Sequence, residues 1–319
     1  MVILETIVLF LIIVFAAILL SNGAETIAEK YGANFAGSVV LALITTLPEY
    51  MFIFWASLKG QYAMAIGSAV GAAMMLITLG YGLVILTATT RINRKPVKMV
   101  ELSEATRIDA IYLVITALIA FVLAWEGNGF DVKDGIILTA LFIGYVYHLG
   151  KEAIKFSNLK IKALPKKKLR KGFLLLIVGG IITIYFSKPF VESLLELARE
   201  LEISPVAIAI ILGPLASEMP EKLTAFITVM RNAKLAEISV CNFIGSKVNH
   251  NSLLLALVPF IAFTQGNSVQ GVVTVQFTTM TLLTFVAGIS LIRRKLILWQ
   301  GLFFTSLFSV LVFVAWLAR

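Results

Sequence analysis

A glutamate and a proline stand together in the middle of a long apolar stretch, SVVLALITTLPEYMFIFWASL. If this stretch is a membrane helix, Glu49 lies at a depth where a carboxylate costs about 2.5–3.5 kcal/mol on insertion scales. Pro48 removes one helical hydrogen bond and restricts the backbone of the residue before it. Two unfavourable features at adjacent positions predict a functional site that uses a buried carboxylate.

The second half of the chain repeats this pattern. The segment ALITTLPEYMFIFWASLKG (residues 42–60) aligns with PLASEMPEKLTAFITVMRN (residues 214–232), which pairs Glu49 with Glu221. The other oxygen-bearing side chains that the alignment pairs are Thr45 with Ser217 and Thr46 with Glu218. A stretch rich in small residues follows each segment, AIGSAVGAAMML and FIGSKVNHNSLL, and such residues let helix backbones approach closely.

The paired segments predict a cation site. If the two halves face each other, Glu49 and Glu221 meet near the middle of the membrane, and their carboxylates with nearby hydroxyls form an oxygen cage suited to Ca²⁺. Two carboxylates close together also bind protons, because like charges in a low dielectric favour the neutral form. We predict Glu49 and Glu221 as the metal ligands, with further ligands from Thr45, Thr46, Ser217 and Glu218.

Four other ionisable residues of these segments, Glu218, Lys222, Lys247 and His250, each have two readings. Glu218 precedes Lys222 by four residues, so an ion pair along the helix competes with a ligand role for Glu218. Lys222 and Lys247 either extend toward the helix end or act as internal counter-cations in the site. His250 either titrates and carries protons or only fills hydrogen bonds in the core.

The elements that position these residues are membrane helices. Of the 319 residues 59% are hydrophobic and 14% are charged, and the mean hydropathy is +0.95, which is typical of a polytopic membrane protein. No Lys or Arg precedes the apolar run Ile3–Leu20, so we expect a retained first helix rather than a signal peptide. The single cysteine excludes an internal disulfide, and no Cys/His cluster has zinc-binding spacing.

The apolar runs predict an all-α membrane protein with ten transmembrane helices, arranged as two inverted five-helix repeats. The repeats are residues 1–150 and 172–319, joined by a basic linker at residues 151–171. An odd number of helices per repeat makes the second repeat begin on the opposite side of the membrane. The predicted spans are residues 2–21, 33–57, 62–88, 108–125, 134–150, 172–187, 204–229, 236–262, 269–291 and 296–317.

The basic residues predict the orientation. Twenty of the 27 lie on the side of the linker, five lie on the other side, and Lys222 and Lys247 lie within helices. By the positive-inside rule the linker is cytoplasmic and both termini face outward, in the cell membrane. The net charge of +9 therefore reports topology and does not indicate a nucleic-acid partner. The linker's run of basic residues also suits contact with anionic membrane lipid.

At the repeated segments the sequence resembles the calcium/cation antiporter superfamily, whose repeats carry a G-T-S-L-P-E type motif followed by G-S in the next helix. The matching residues here are T-T-L-P-E at 45–49, S-E-M-P-E at 217–221, and the G-S pairs at 67–68 and 245–246. The resemblance implies no enzyme but a secondary-active antiporter that exports a divalent cation, with Ca²⁺ as the expected cargo, in exchange for H⁺ or Na⁺. It implies no permanently bound cofactor, and inorganic cations as the partners. It also implies that the helix after each motif supplies further cation ligands, at Ser68, Ser246 and Asn249.

The sequence also departs from the family pattern. Where the family supplies hydroxyl and amide or carboxylate ligands after the first motif, this chain has Ala72 and Leu76. One alternative is therefore a divergent relative that moves another cation, with its lysines in the place of a coupling ion. Another alternative is a membrane protein without transport activity, although the sequence contains no nucleotide motif and no pairing of a nucleophile with a base.

Overall fold

The computed structural model describes residues 2–31, 41–155 and 165–318 of the chain. Nearly all of them form helices, as expected for an apolar chain that must satisfy its backbone hydrogen bonds internally. The helices of the first half are α1 (Val2–Tyr31), α2 (Leu41–Thr45), α3 (Leu47–Leu58), α4 (Tyr62–Met75), α5 (Tyr81–Thr89), α6 (Glu104–Gly127) and α7 (Val132–Lys155). Those of the second half are α8 (Lys166–Glu200), α9 (Pro205–Arg231), α10 (Ala236–Asn249), α11 (Leu255–Thr264), α12 (Val275–Ile292), α13 (Leu298–Ser306) and α14 (Phe308–Leu317).

Two short antiparallel ribbons connect loops of the two halves. Strand β1 (Val100–Glu101) pairs with β4 (Lys295–Leu296), and β2 (Gly129–Phe130) pairs with β3 (Val269–Gln270). Each ribbon joins one loop of the first half to one loop of the second half. The two halves are therefore linked outside the helical packing as well as within it.

Seven helical segments among the described residues are long and apolar enough to cross a membrane. They are Val2–Gly23, Tyr62–Thr89, Thr106–Gly127, Val132–Lys151, Lys166–Glu200, Val275–Ile292 and Leu298–Leu317. The other three predicted spans, of which residues 33–40 lie outside the described part, correspond to α2 with α3, to α9, and to α10 with α11. The span of α2 with α3 is divided by a turn, so neither helix is long enough by itself. The spans of α9 and of α10 with α11 carry buried Glu, Lys, Asn and His side chains, which lower their hydropathy.

The ends of several helices differ from the predicted spans. Helix α8 has 35 residues and begins and ends in charged turns, whereas the apolar run alone predicted residues 172–187. Helices α7 and α8 extend into the predicted linker from both sides, and residues 156–164 between them fall outside the described part. Hydropathy detects only the apolar section of a helix, so helical turns that continue beyond that section are missed.

Two matched irregularities occur in the two halves. Helix α4 has 14 residues and continues into a five-residue π-helical turn, Leu76–Gly80. Helix α10 also has 14 residues and continues into a five-residue π-helical turn, His250–Leu254. Single π turns within helices are frequent at functional sites because they change which side chains face a given direction.

Glycines permit close helix packing at the centre and at the edge of the bundle. A Cβ atom on Gly71 of α4 would lie 2.0 Å from the carbonyl oxygen of Ile210 on α9, so these backbones are in direct contact. A Cβ atom on Gly179 of α8 would lie 2.9 Å from the carbonyl oxygen of Ala16 on α1. The small residues predicted to allow close approach therefore do so for α4 against α9, the helix that carries Glu218.

Candidate cation-binding site

The apolar run around TTLPEY is broken, as its proline predicts. Helix α2 ends at Thr45, Thr46 lies in a turn, and α3 begins at Leu47 with Pro48 in its first turn. Glu49 is thereby placed in the first turn of α3, where unpaired backbone N–H groups and the helix dipole favour a negative charge. The repeated motif predicts a second helix break at Pro220, and this prediction is wrong, because α9 runs without interruption from Pro205 to Arg231. In a membrane helix, local adjustments can satisfy the backbone groups that a proline frees.

Three side chains from separate elements converge inside the bundle. Glu49 of α3, Glu218 of α9 and His250 of the second π turn each offer one ligand atom, and these atoms lie within 4.8 Å of one another. The exposed fractions of the three residues are 3%, 1% and 1%. An oxygen of Glu49, Oε2, has no hydrogen-bond partner among the described residues. The arrangement suits a cation, because buried carboxylate oxygens require a positive partner or a proton.

The two oxygens of Glu218 have different surroundings. Oε2 accepts a hydrogen bond from Nζ of Lys222, one turn further along α9, and the two groups form a buried ion pair. Of the two alternatives for Glu218, the ion pair along the helix is therefore present, through one of its two oxygens. Oε1 faces Nε2 of His250 at 3.3 Å and has no hydrogen-bond partner among the described residues. One oxygen of Glu218 therefore remains on the side of Glu49 and His250.

The hydrogen bonding of His250 fixes the orientation of its ring. Nδ1 lies 2.5 Å from the backbone oxygen of Ser246, and since a carbonyl only accepts, Nδ1 carries a proton and donates it. In the neutral ring Nε2 then presents a lone pair toward Oε1 of Glu218. Two electron-rich atoms at 3.3 Å need a positive charge between them, supplied either by a proton on Nε2 or by a bound cation.

A hydrogen-bonded chain closes the site next to Glu49. The hydroxyl of Tyr50 donates to Oδ1 of Asn249 at 2.6 Å, and Nδ2 of Asn249 donates to Oγ1 of Thr46 at 3.1 Å. The Ser217 hydroxyl lies beside Glu49 and donates to the Gly213 backbone oxygen at 3.0 Å. Helix α10 is thus bonded to the break between α2 and α3.

The remaining predicted ligands are buried in the same part of the bundle. Thr45, Ser68 and Ser246 are 6%, 2% and 0% exposed. The Ser246 hydroxyl has no hydrogen-bond partner among the described residues. The first π turn begins at Leu76, one of the two positions without a ligand oxygen, and both Ala72 and Leu76 are fully buried.

Lys247 is fully buried and does not extend toward a helix end. Its Nζ donates to Oδ1 of Asn251 at 3.0 Å, one turn along the same helical segment. Within the described part of the chain its ammonium group thus bonds to an amide, whereas that of Lys222 contacts a carboxylate. Lys222 is therefore the lysine whose position suits a counter-cation for Glu218.

The position of Glu221 is known only at the level of the backbone. It lies on α9, three residues after Glu218, but its side chain falls outside the described part of the structure. Two polar residues of the site were missed by the sequence interpretation, Tyr50 and Asn251. Both are marked by their position, Tyr50 directly after the buried glutamate and Asn251 four residues after the buried lysine.

The sequence matches the family described as sodium/calcium exchanger protein over residues 1–151 and 171–317. The chain belongs to the sodium/calcium exchanger family. The membership explains the apolar composition and the paired P-E motifs, and it places the chain among integral membrane cation antiporters rather than enzymes. The resemblance to calcium/cation antiporters that those motifs indicated is confirmed.

Relatives of this family cover most of the chain. An uncharacterized membrane protein of Methanocaldococcus jannaschii is 26% identical over 91% of this chain and 90% of its own length. The inner membrane protein YrbG of Escherichia coli is 23% identical over 77% of this chain and 76% of its own length.

Two solved exchanger structures share the fold. The crystal structure of the H⁺/Ca²⁺ exchanger CAX is 25% identical and has a TM-score of 0.81, covering 99% of this chain and 84% of that one. A structure of the sodium-calcium exchanger NCX_Mj is 23% identical and has a TM-score of 0.70, covering 97% of this chain and 98% of that one.

Proposed function

We propose that this sodium/calcium exchanger family member exports a divalent cation, with Ca²⁺ as its first candidate, in exchange for protons. The observation that carries the proposal is the convergence of Glu49, Glu218 and His250 within 4.8 Å inside a membrane bundle. All three groups bind protons as well as cations, so one site accepts either in alternation. The similarity in fold and sequence to an H⁺/Ca²⁺ exchanger supports the same exchange.

The proposal includes ten transmembrane passes in two inverted five-helix repeats, with the cation site near the membrane midplane. It is supported by the equal lengths of α4 and α10, by the π turn that follows each, and by the paired P-E segments. The family match leaves a gap at residues 152–170, within the predicted boundary between the repeats. The distribution of basic residues supports a cytoplasmic linker and outward-facing termini.

Each residue then has a role in binding. Glu49 and Glu218 coordinate the cation and take up protons when it leaves, and His250 supplies a nitrogen on the same side. We retain Glu221 as a ligand proposed from the repeat. The supporting oxygens come from Thr45, Thr46, Ser217, Ser68, Ser246 and Asn249. Alternating access uses the long pair α1 and α8, which pack against each other and slide past the remaining helices.

Lys222 favours protons over Na⁺ as the exchanged ion. An ammonium group on Oε2 of Glu218 neutralises one negative charge, as a bound Na⁺ would, but it is covalently attached and cannot be transported. The first half also lacks ligand oxygens at Ala72 and Leu76. A site that already holds a fixed positive charge and offers fewer oxygen ligands binds Na⁺ less well. We therefore propose protons as the exchanged ion.

His250 supports a second candidate cargo, a transition-metal divalent cation such as Mn²⁺. The ring donates through Nδ1 to Ser246 and directs Nε2 toward Glu218, an arrangement common for histidines that bind metals. Ca²⁺ prefers oxygen ligands only, whereas imidazole suits transition metals. Transport of such a metal corresponds to the alternative, raised by the sequence, of a divergent family member that moves another cation.

Thermal stability separates the candidates. A ligand that binds only the folded protein raises its free energy of unfolding by mass action, by about 2.7 kcal/mol at a concentration 100 times its Kd, and therefore raises its melting temperature. We expect Ca²⁺ or Mn²⁺ to raise the melting temperature of the purified protein, with Mg²⁺ and Na⁺ having little effect. In proteoliposomes, a pH gradient should drive uptake of the stabilising ion. Stabilisation by Na⁺ together with flux driven by a Na⁺ gradient at constant pH would contradict proton coupling.

A further inference from the structure

A second buried carboxyl group lies in the bundle, away from the cation site. Asp109 is in the second turn of α6 and is 2% exposed. Its Oδ2 atom accepts a hydrogen bond from the thiol of Cys241 on α10 at 3.4 Å. Its Oδ1 atom is buried and has no hydrogen-bond partner among the described residues.

Two phenol groups complete the surroundings of this carboxyl. The side chains of Tyr145 on α7 and Tyr81 on α5 face Asp109, and both residues are 1% exposed. Neither phenol oxygen has a hydrogen-bond partner among the described residues. Three buried polar atoms from three helices therefore share one location without satisfied hydrogen bonds, a rare arrangement in folded proteins.

The charges around Asp109 do not compensate an ionised carboxylate. No salt bridge to Asp109 forms among the described residues, and a thiol is a weak hydrogen-bond donor. The titratable groups that face it from the neighbouring helices are Cys241, Tyr145 and Tyr81, and Glu237, one turn before Cys241 on α10, faces the Cys241 thiol. Helix α12 also packs on α6, and it contains no titratable residue. A buried carboxylate without a cation is costly enough that such a group takes up a proton instead.

We propose that Asp109, with Cys241, Tyr81 and Tyr145, forms a second proton-binding site that is separate from the Glu49 site. The geometry assigns the proton to Oδ1, which can donate it to a phenol oxygen. Oδ2 then remains a carbonyl oxygen and accepts the hydrogen bond from the Cys241 thiol.

The site has a polar connection to the protein surface. Glu237, at the start of α10, is partly exposed and accepts a hydrogen bond from the Thr106 hydroxyl at 2.9 Å. The Thr106 hydroxyl also neighbours the Cys241 thiol. This series of exchangeable groups reaches from a partly exposed carboxylate to Asp109, so a proton can equilibrate with the aqueous phase at this end of the bundle.

The test compares the purified full chain with its Asp109→Asn variant, since asparagine copies the neutral carboxyl. A proton held more tightly in the folded chain than in the unfolded chain stabilises the fold in acid, and this stabilisation is lost as pH rises. As pH rises from about 4, where an aspartyl side chain of the unfolded chain loses its proton, we expect the melting temperature of the original protein to fall relative to that of Asp109→Asn. The two should agree at the acid end. Glu126→Gln, which removes an exposed carboxylate, serves as the control and should follow the original protein.

A second measurement does not depend on the folding of Asp109→Asn. We expect the infrared spectrum to contain a protonated carboxyl band that shifts to higher frequency in Cys241→Ala, because the thiol no longer donates to the carbonyl oxygen. Destabilisation of Asp109→Asn at every pH, or a carboxyl band unaffected by Cys241→Ala, would overturn the proposal. The proposal would also be overturned if a divalent cation raised the melting temperature of Glu49→Gln but not that of Asp109→Asn, because the second site would then bind a metal. Failure of Glu49→Gln to lose cation flux bears only on the proposed function.

Discussion

The Nε2 atom of His250 lies 3.3 Å from the Oε1 atom of Glu218, and neither atom has a hydrogen-bond partner among the described residues. Because Nδ1 of the same ring donates to Ser246, the lone pair of a neutral ring points at the carboxylate. A cation between these two atoms would bind both. Glu218 belongs to the repeated motif at residues 217–221, whereas His250 lies outside that motif. The contact therefore adds to the site a residue that the motif alone does not indicate.

Replacement of His250 should reveal the preferred ion. We expect His250→Gln to weaken Mn²⁺ binding by at least about tenfold, and Ca²⁺ binding by less, because Ca²⁺ gains little from a nitrogen ligand. Melting temperatures measured against the concentration of each ion report the two affinities. His148→Gln, at a partly buried histidine outside the site, is the matched control. Unchanged Mn²⁺ binding in His250→Gln would remove the transition-metal candidate.

The carboxylates should each be required for transport. We expect Glu49→Gln and Glu218→Gln to abolish cation flux in proteoliposomes, because each removes one of the negative charges that a divalent cation needs. From the sequence repeat, Glu221→Gln should abolish flux as well. Glu126→Gln removes an exposed carboxylate and should retain flux. Near-normal flux in Glu49→Gln or Glu218→Gln would place the cation site elsewhere.

Glu218→Gln has an additional effect on stability. It leaves the buried Lys222 without its carboxylate, and breaking a buried ion pair in this way costs about 3–5 kcal/mol. The double variant Glu218→Gln/Lys222→Met removes both charges and should recover much of this loss. Recovery of stability without recovery of flux separates the transport defect from misfolding.

Lys222 should set the pH range of exchange. Lys222→Met removes a positive charge in contact with Glu218, so the site should hold protons to higher pH, and the profile of flux against pH should move upward. Lys247→Met should have a smaller effect, because Lys247 bonds to the Asn251 amide. Lys133→Ala, at an exposed lysine, is the control. An unmoved profile in Lys222→Met, with flux driven by Na⁺ at constant pH, would show that Na⁺ ligands lie elsewhere.

The predicted topology can be tested by labelling. Single cysteines introduced at Val2 and at Ser157, in a Cys241→Ser background, should react with an impermeant reagent from opposite sides of the membrane. The positive-inside rule assigns residue 157 to the cytoplasm. Reaction of both positions from the same side would contradict the arrangement of five plus five inverted helices.

The sequence by itself determined the membrane class, the family and the positions of two special segments. In lipid, long apolar segments form helices because a helix satisfies its backbone hydrogen bonds internally. A carboxylate beside a proline inside such a segment has a high insertion cost, and this cost indicates a functional site. The helix break at Thr46 and the ion pair between Glu218 and Lys222 follow from local spacing, so they could be predicted. The repeat likewise identified α3, α9 and α10 as the elements of the site.

Only the tertiary structure decided which side chains meet. Local alignment paired Glu49 with Glu221, whereas Glu218 and His250 are the groups that lie beside Glu49 in the described structure. The direction of a side chain depends on how α9 rotates against α4 at Gly71 and on the π turn that begins at His250. The site around Asp109 shows the same limit. Its members come from α5, α6, α7 and α10, and no spacing in the sequence relates residues whose only connection is the packing of four helices.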